Sequence, residues 1–169
     1  MKLLLHTHAL IWWWKDDPRL SKRAAKATAD EANTVLVSAA SAWEIATKHR
    51  IGKLPGAERA ISEFNRLIDA DGFEHLAVSF QHARKANGLV IEHRDPFDRM
   101  LAAQAMIEGA TFVTNDAAMK LFRAKCFWQR RKSIFSARND GRLIAATFIY
   151  APNAAPNGVL QHWRWASTM

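Results

Sequence analysis

The chain is poor in several features that define common protein classes. It has a single cysteine, Cys126, which excludes an internal disulfide and a cysteine-rich zinc site. Its seven glycines are scattered, and no glycine-rich phosphate loop is present. No apolar run approaches the roughly 20 residues that span a bilayer, and the N-terminal apolar stretch is too short for a signal peptide. We therefore expect a cytoplasmic protein that makes no membrane contact.

Acidic residues are scarce near the C-terminus. Residues 1–128 contain 18 Lys/Arg and 15 Asp/Glu, and residues 129–169 contain 6 and 1, which together give the 24 and 16 of the whole chain. We predict a folded domain at 1–128 and a basic C-terminal extension at 129–169, with strand-like segments at 143–150 and 159–165. The positive charge of the extension can neutralise RNA phosphates or form a solvated face, and both interpretations stay open.

Short apolar runs alternate with helical patterns in the first 128 residues. Continuous apolar runs imply strands that are buried on both faces, which is typical of a parallel sheet. Alternation of such strands with helices predicts an α/β protein with three α/β/α layers and a mainly parallel central sheet. The predicted strands are 3–5, 34–37, 76–78, 111–114 and 125–128, and the predicted helices are 20–31, 42–50, 57–69, 80–87 and 96–108.

Three carboxylates each lie a short way past an apolar run: Glu44, Asp98 and Asp116. Open α/β sheets bind ligands beyond the carboxyl ends of their strands, and hard cations need converging oxygen ligands. Each acid also has a local explanation, because Ser41 and Glu44 form a capping-box pattern, Asp98 follows the cap Asp95, and Asp116 can cap a helix. Taken together, the three acids favour a Mg²⁺ or Mn²⁺ site for phosphate chemistry.

Four segments resemble one family in their order and spacing. They are LLLHTHALIWW at 3–13, VSAASAWEIA at 37–46, HRDPFDRMLAAQA at 93–105 and FVTND at 112–116. They resemble the PIN domain, and more closely the VapC-like toxin nucleases of type II toxin–antitoxin systems. The resemblance places the four acid positions of the family at His6, Glu44, Asp98 and Asp116, with Asp95 and Thr114 as secondary candidates.

The resemblance also implies a function. It implies a PIN-like fold and a metal-dependent endoribonuclease that uses Mg²⁺ or Mn²⁺ and acts on RNA. It further implies a cognate antitoxin as partner and a homodimer.

Position 6 departs from the family pattern, because His6 stands where the family has an acid. The imidazole removes a hard anionic ligand and suits softer metals better than Mg²⁺. The leading hypothesis is a nuclease with impaired metal binding and low or no activity. The alternatives are a softer metal bound by His6 and a histidine that the strand end simply tolerates. A further alternative function is an inactive PIN-fold protein that binds antitoxin or RNA without cleaving it.

Two other features have open interpretations. The run Trp12-Trp13-Trp14 can pack in the core or contact a partner, because adjacent helical positions point about 100° apart. His93 and Arg94 can meet a phosphate or lie in a solvated loop. His8, His49, His75, His82 and His93 show no zinc-type spacing with each other or with Cys126 and are otherwise interpreted as structural or solvent-facing.

Overall fold

The computed structural model describes residues 1–122 and 124–128. The predicted extension at 129–169, including its two strand-like segments, lies outside these residues. Within the described part, five parallel strands form one sheet in the order β3-β2-β1-β4-β5. The strands are β1 (Lys2–Leu5), β2 (Thr34–Ser38), β3 (Glu74–Leu76), β4 (Thr111–Val113) and β5 (Cys126–Phe127).

Helices connect these strands and cover both faces of the sheet. No helix in the described ranges has the length and apolarity needed to cross a membrane. The helices are α1 (Thr7–Trp14), α2 (Lys22–Thr28), α3 (Ala39–Arg50), α4 (Glu58–Ser62), α5 (Phe64–Ala70), α6 (Phe80–Asn87) and α7 (Pro96–Ile107), and a 3-10 helix spans Ala117–Phe122.

The central strand β1 is buried on both faces, as its continuous apolar run predicts. Leu3 and Leu5 belong to the core on one face of the sheet, where they pack with Leu10 of α1. Leu4 belongs to the core on the other face, together with Leu101 of α7. Successive side chains of a strand point to opposite faces, so an unbroken apolar strand requires a layer on each side. The predicted three-layer α/β/α fold is confirmed.

Two predicted elements differ from the structure. The strand predicted at 76–78 runs from Glu74 to Leu76. The helix predicted at 57–69 is divided at Glu63 into α4 and α5. This division leaves Ile61 exposed on α4 while Ile68 of α5 is fully buried, so the single apolar face expected for a continuous helix does not form.

The start of α3 also differs from the prediction. Its N-cap is Ser38, whose Oγ accepts a hydrogen bond from the Ala40 amide at 2.9 Å. Ser41 lies inside the helix, where its Oγ accepts a hydrogen bond from the Thr7 hydroxyl at 3.0 Å. The capping box of Ser41 and Glu44 is therefore wrong. Glu44 lies in the second turn of α3, where an N-cap role does not explain it.

The three adjacent tryptophans of α1 are half-buried and pack against the core. The indole N–H groups of Trp13 and Trp14 both donate to Oδ2 of Asp71, at 3.1 and 3.0 Å. Burial raises the pKa of Asp71, although the two indole donors partly oppose this rise. One carboxylate oxygen therefore joins α1 to the end of α5.

This contact gives a stability prediction. Replacing Asp71 with alanine leaves two indole donors without this acceptor and should lower the free energy of unfolding by about 1–3 kcal/mol. Asp71→Asn keeps one oxygen acceptor and removes the buried charge, so its loss should be smaller. Urea denaturation of both variants measures the difference. Equal losses for the two substitutions would show that the charge, and not the shared acceptor, matters.

Candidate active site

The candidate site lies where the strand order reverses. From β1 the chain proceeds to β2 and β3 on one side of the sheet, and then to β4 and β5 on the other. Such a switch point opens a crevice beyond the carboxyl ends of the central strands. His6 follows β1 and Thr114 follows β4, and the pairing of Leu5 with Val113 brings these two residues side by side.

His6 is held in the crevice by both its backbone and its ring. Its amide donates to the Val113 carbonyl at 3.1 Å. Its Nδ1 lies 3.0 Å from the Thr114 hydroxyl, and its Nε2 lies 2.8 Å from Oδ1 of Asp98. The side chain is 5% exposed. Both ring nitrogens of His6 therefore contact side chains from distant parts of the chain.

Asp98 is bound by two imidazoles. His6 Nε2 contacts one carboxylate oxygen at 2.8 Å, and His93 Nε2 contacts the other at 2.7 Å. Burial alone raises the pKa of Asp98, but the hydrogen bonds and charges of the two histidines outweigh it and hold this pKa below its usual range. Asp98 is therefore ionised, and each of its oxygens has a histidine partner.

The hydrogen-bond network assigns the proton positions. Thr114 Oγ1 accepts from the Asp116 amide at 3.0 Å, so its hydroxyl proton is available to His6 Nδ1. Ionised Asp98 can only accept, so in a neutral His6 the ring proton is on Nε2 and Nδ1 accepts from the Thr114 hydroxyl. The secondary candidate Thr114 thus orients the ring of His6.

Glu44 lies in the same region but is paired with a cation. It is 4% exposed, and its Oε1 accepts from the ammonium of Lys48, one turn later on α3. Burial opposes the charge on Lys48, but the hydrogen bond to Glu44 and the charges of Glu44, Asp95 and Asp98 outweigh it and raise the pKa of Lys48. The other oxygen, Oε2, is buried and lacks a hydrogen-bond partner.

Asp95 and Asp116 act as caps. Oδ1 of Asp95 accepts from the Phe97 and Asp98 amides at 2.8 and 3.3 Å, which confirms its predicted role at the start of α7. Oδ1 of Asp116 accepts from the Ala118 amide at 2.8 Å, at the start of the 3-10 helix. The Asp116 amide donates to the Thr114 hydroxyl, and the Asp116 carboxylate caps the 3-10 helix.

The donor set in this arrangement does not fit Mg²⁺. Each of the three acids has at least one partner, which is two histidines for Asp98, Lys48 for Glu44 and an amide for Asp116, and Oε2 of Glu44 is left without one. In residues 1–122 and 124–128, no group of three His, Cys, Asp or Glu side chains is arranged to hold a metal ion. Mg²⁺ requires near-octahedral oxygen ligands, and here His6 contributes an imidazole nitrogen instead of an oxygen.

Sequence reasoning missed two histidines of the site. His93 binds Asp98, and His8 lies beside His6 with 4.2 Å between ring centroids and accepts from the Asn115 amide at 3.2 Å. Burial and the adjacent His6 lower the pKa of His8 to about 3, so this ring is neutral. No local pattern links His8 to residue 115, and the spacing of His93, five residues before Asp98, does not by itself indicate that its ring meets the Asp98 carboxylate.

Comparison with known proteins indicates the family to which the chain belongs. The PIN domain family model matches residues 3–125. A segment of 77 residues is 40% identical to Ribonuclease VapC16 of Mycobacterium tuberculosis (strain ATCC 25618 / H37Rv), and it covers 42% of this chain and 55% of that protein. The chain thus spans about half the length of this curated relative.

A solved structure shares the fold. It is the crystal structure of VapBC2 from Rickettsia felis bound to a DNA fragment from their promoter. The match has a TM-score of 0.53 and 20% sequence identity, and it covers 75% of this chain and 96% of that chain. The family match over residues 3–125 confirms the resemblance drawn from the four sequence segments. The chain belongs to the PIN domain family.

Proposed function

We propose that this chain is a VapC-like endoribonuclease of the toxin–antitoxin type in which His6 impairs the binding of Mg²⁺ or Mn²⁺. The observation that carries the proposal is the 2.8 Å contact of His6 Nε2 with Asp98. Family membership and the 40% identity with a protein named as a ribonuclease support the reaction class. A cytoplasmic location, a homodimer, an RNA substrate and a cognate antitoxin belong to the same proposal.

The impairment has two physical causes. His6 supplies one negative charge fewer than an acid, so the site attracts a hard cation less strongly. Its N–H also occupies an oxygen of Asp98 that an acid at position 6 would leave open. A cation must therefore displace a buried hydrogen bond before it reaches Asp98, and that cost reduces its affinity.

A second candidate function is a catalytically inactive PIN-fold protein that binds RNA or an antitoxin without cleavage. The pairing of Glu44 with Lys48 favours it, because an internal ammonium already neutralises this buried acid. His93 binds one oxygen of Asp98 at 2.7 Å, so two of the three acids are hydrogen-bonded to neighbouring side chains.

Calorimetry and a cleavage assay distinguish these functions. We expect Mg²⁺ to bind the chain with a Kd of roughly 1 mM or weaker, and RNA cleavage to be slow and abolished by EDTA. Asp116→Asn is the matched control and should remove the residual cleavage. Binding of RNA or antitoxin without any cleavage favours the second function. Tight Mg²⁺ binding with rapid cleavage would contradict the impairment.

A further inference from the structure

Trp43 is exposed beside the candidate site. Its neighbour Glu44 is 4% exposed, whereas Trp43 is 63% exposed, because adjacent helical positions point about 100° apart. The other tryptophans within the described residues, at positions 12, 13, 14 and 128, are half-buried. A large apolar ring that is exposed to water is a stronger indication of a binding site than a ring that packs in the core.

The exposed indole is held in place. Trp43 and Phe97 form a perpendicular aromatic pair with ring centroids 4.9 Å apart. Such edge-to-face pairs are favourable beyond their buried area. Trp43 directly precedes Glu44 on α3, and Phe97 directly precedes Asp98 on α7. The pair therefore joins the two helices that carry these acids and fixes an aromatic surface next to both.

Cations lie in the same region. The Lys48 side chain is 41% exposed, binds Glu44, and senses the charges of Asp95 and Asp98. Arg94 is exposed in the segment that leads from His93 to α7. Lys48 follows Trp43 by five residues on α3, and Arg94 precedes Phe97 by three residues. Proteins that bind single-stranded nucleic acids combine aromatic rings, on which bases stack, with positive charges that neutralise phosphates.

We propose that Trp43, supported by Phe97, forms a stacking subsite for one base of a single-stranded RNA whose phosphate approaches the His6–Asp98 site. This subsite rests on the proposed function and adds to it a contact for the base. Sequence-specific RNA recognition commonly uses unstacked bases on aromatic rings, and stacking needs no base-specific hydrogen bond.

The surroundings of Trp43 favour a base over a protein partner. Ala39 and Thr47, one turn before and after it on α3, have small side chains, which leave room for a planar ring. Protein hot spots lie in packed apolar pockets and are surrounded by further contacts that exclude water. A single exposed aromatic ring flanked by small residues on its helix suits one base better than an apolar protein surface.

The test measures RNA affinity separately from cleavage. A fluorescein-labelled single-stranded RNA is titrated with the full chain in EDTA, and anisotropy is recorded. We expect Trp43→Ala to weaken binding roughly 5-fold to 100-fold and Trp43→Phe to retain most of the affinity. Phe80→Ala is the control, because Phe80 is 81% exposed on α6 and should leave affinity unchanged. Thermal unfolding verifies that the variants fold.

A matched RNA without bases completes the test. It should bind the wild-type protein more weakly than the normal RNA, and it should bind wild type and Trp43→Ala alike. If the wild type binds RNA and Trp43→Ala binds it equally well, the subsite is wrong while the proposed function stands. If Trp43→Ala loses only an antitoxin, the residue belongs to a protein interface and the subsite is wrong. If the wild type binds no RNA, both proposals fail.

Discussion

Replacing His6 with aspartate should increase Mg²⁺-dependent RNA cleavage by at least about tenfold. Changes to a residue that only supports a metal ligand commonly alter metal affinity or activity by about 10–100-fold, and in the proposed function position 6 is itself a ligand position. Aspartate supplies the missing anionic oxygen and removes the N–H that occupies Oδ1 of Asp98. Cleavage rates of the wild type and the variant, measured with Mg²⁺ and with Mn²⁺, give the result.

A control variant separates the effect of the added negative charge from the effect of removing the imidazole. His6→Asn also removes the imidazole but adds no charge, so it should gain much less activity than His6→Asp. Without metal, His6→Asp brings a second buried acid next to Asp98, and like charges at short distance are destabilising. Mg²⁺ should therefore raise the melting temperature of His6→Asp more than that of the wild type, because a ligand stabilises the state that binds it. Equal cleavage of all three proteins with Mg²⁺ would contradict the impairment.

Arg99→Ala should lower the free energy of unfolding by about 2–4 kcal/mol. All five guanidinium N–H groups of Arg99 are used. Nε donates to the Ala86 carbonyl at 3.1 Å, Nη1 donates to Ile91 and His93 at 3.2 and 3.1 Å, and Nη2 donates to Asn87 and Leu89 at 3.2 and 2.6 Å. One side chain thus satisfies carbonyls at the end of α6 and along the segment that carries His93.

Arg99→Lys should retain little of the stability that Arg99 provides. The lysine ammonium is a point charge with three donors, whereas the guanidinium presents five in a fixed plane. Arg84→Ala is the matched control, because Arg84 is an exposed arginine on α6, and a change there should stay within about 0.5 kcal/mol. Chemical denaturation gives the free energies, and hydrogen exchange across residues 88–95 should rise in Arg99→Ala. A normal exchange pattern in that variant would show that the segment is held by other contacts.

The arrangement of layers could be predicted from local patterns. The run Leu3-Leu4-Leu5 is apolar at every position, which requires burial on both faces, and the structure places it at the centre of the sheet. Asp95 followed by proline predicts the start of α7, and Gly109, with a φ of 62°, follows its end. These features depend on neighbours in the chain, so the sequence alone is sufficient to find them.

Features that depend on distant contacts could not be found in this way. Ser38 caps α3 instead of Ser41, because the hydroxyl of Ser41 is used by Thr7, 34 residues away. The helix predicted at 57–69 is divided at Glu63, and Ala60 of the first part and Ile68 of the second both reach the core. Local spacing cannot decide which of two serines caps a helix or where an amphipathic segment is divided.

The family and the layered fold follow from patterns along the chain, and the same patterns predict Glu44, Asp98 and Asp116 as site residues and His6 as a departure from the family. The contacts of His6 could be found only from the fold, since its partners Thr114 and Asp98 lie 108 and 92 residues away. The parallel sheet brings them together at the ends of β1 and β4, and there the imidazole occupies an oxygen of Asp98.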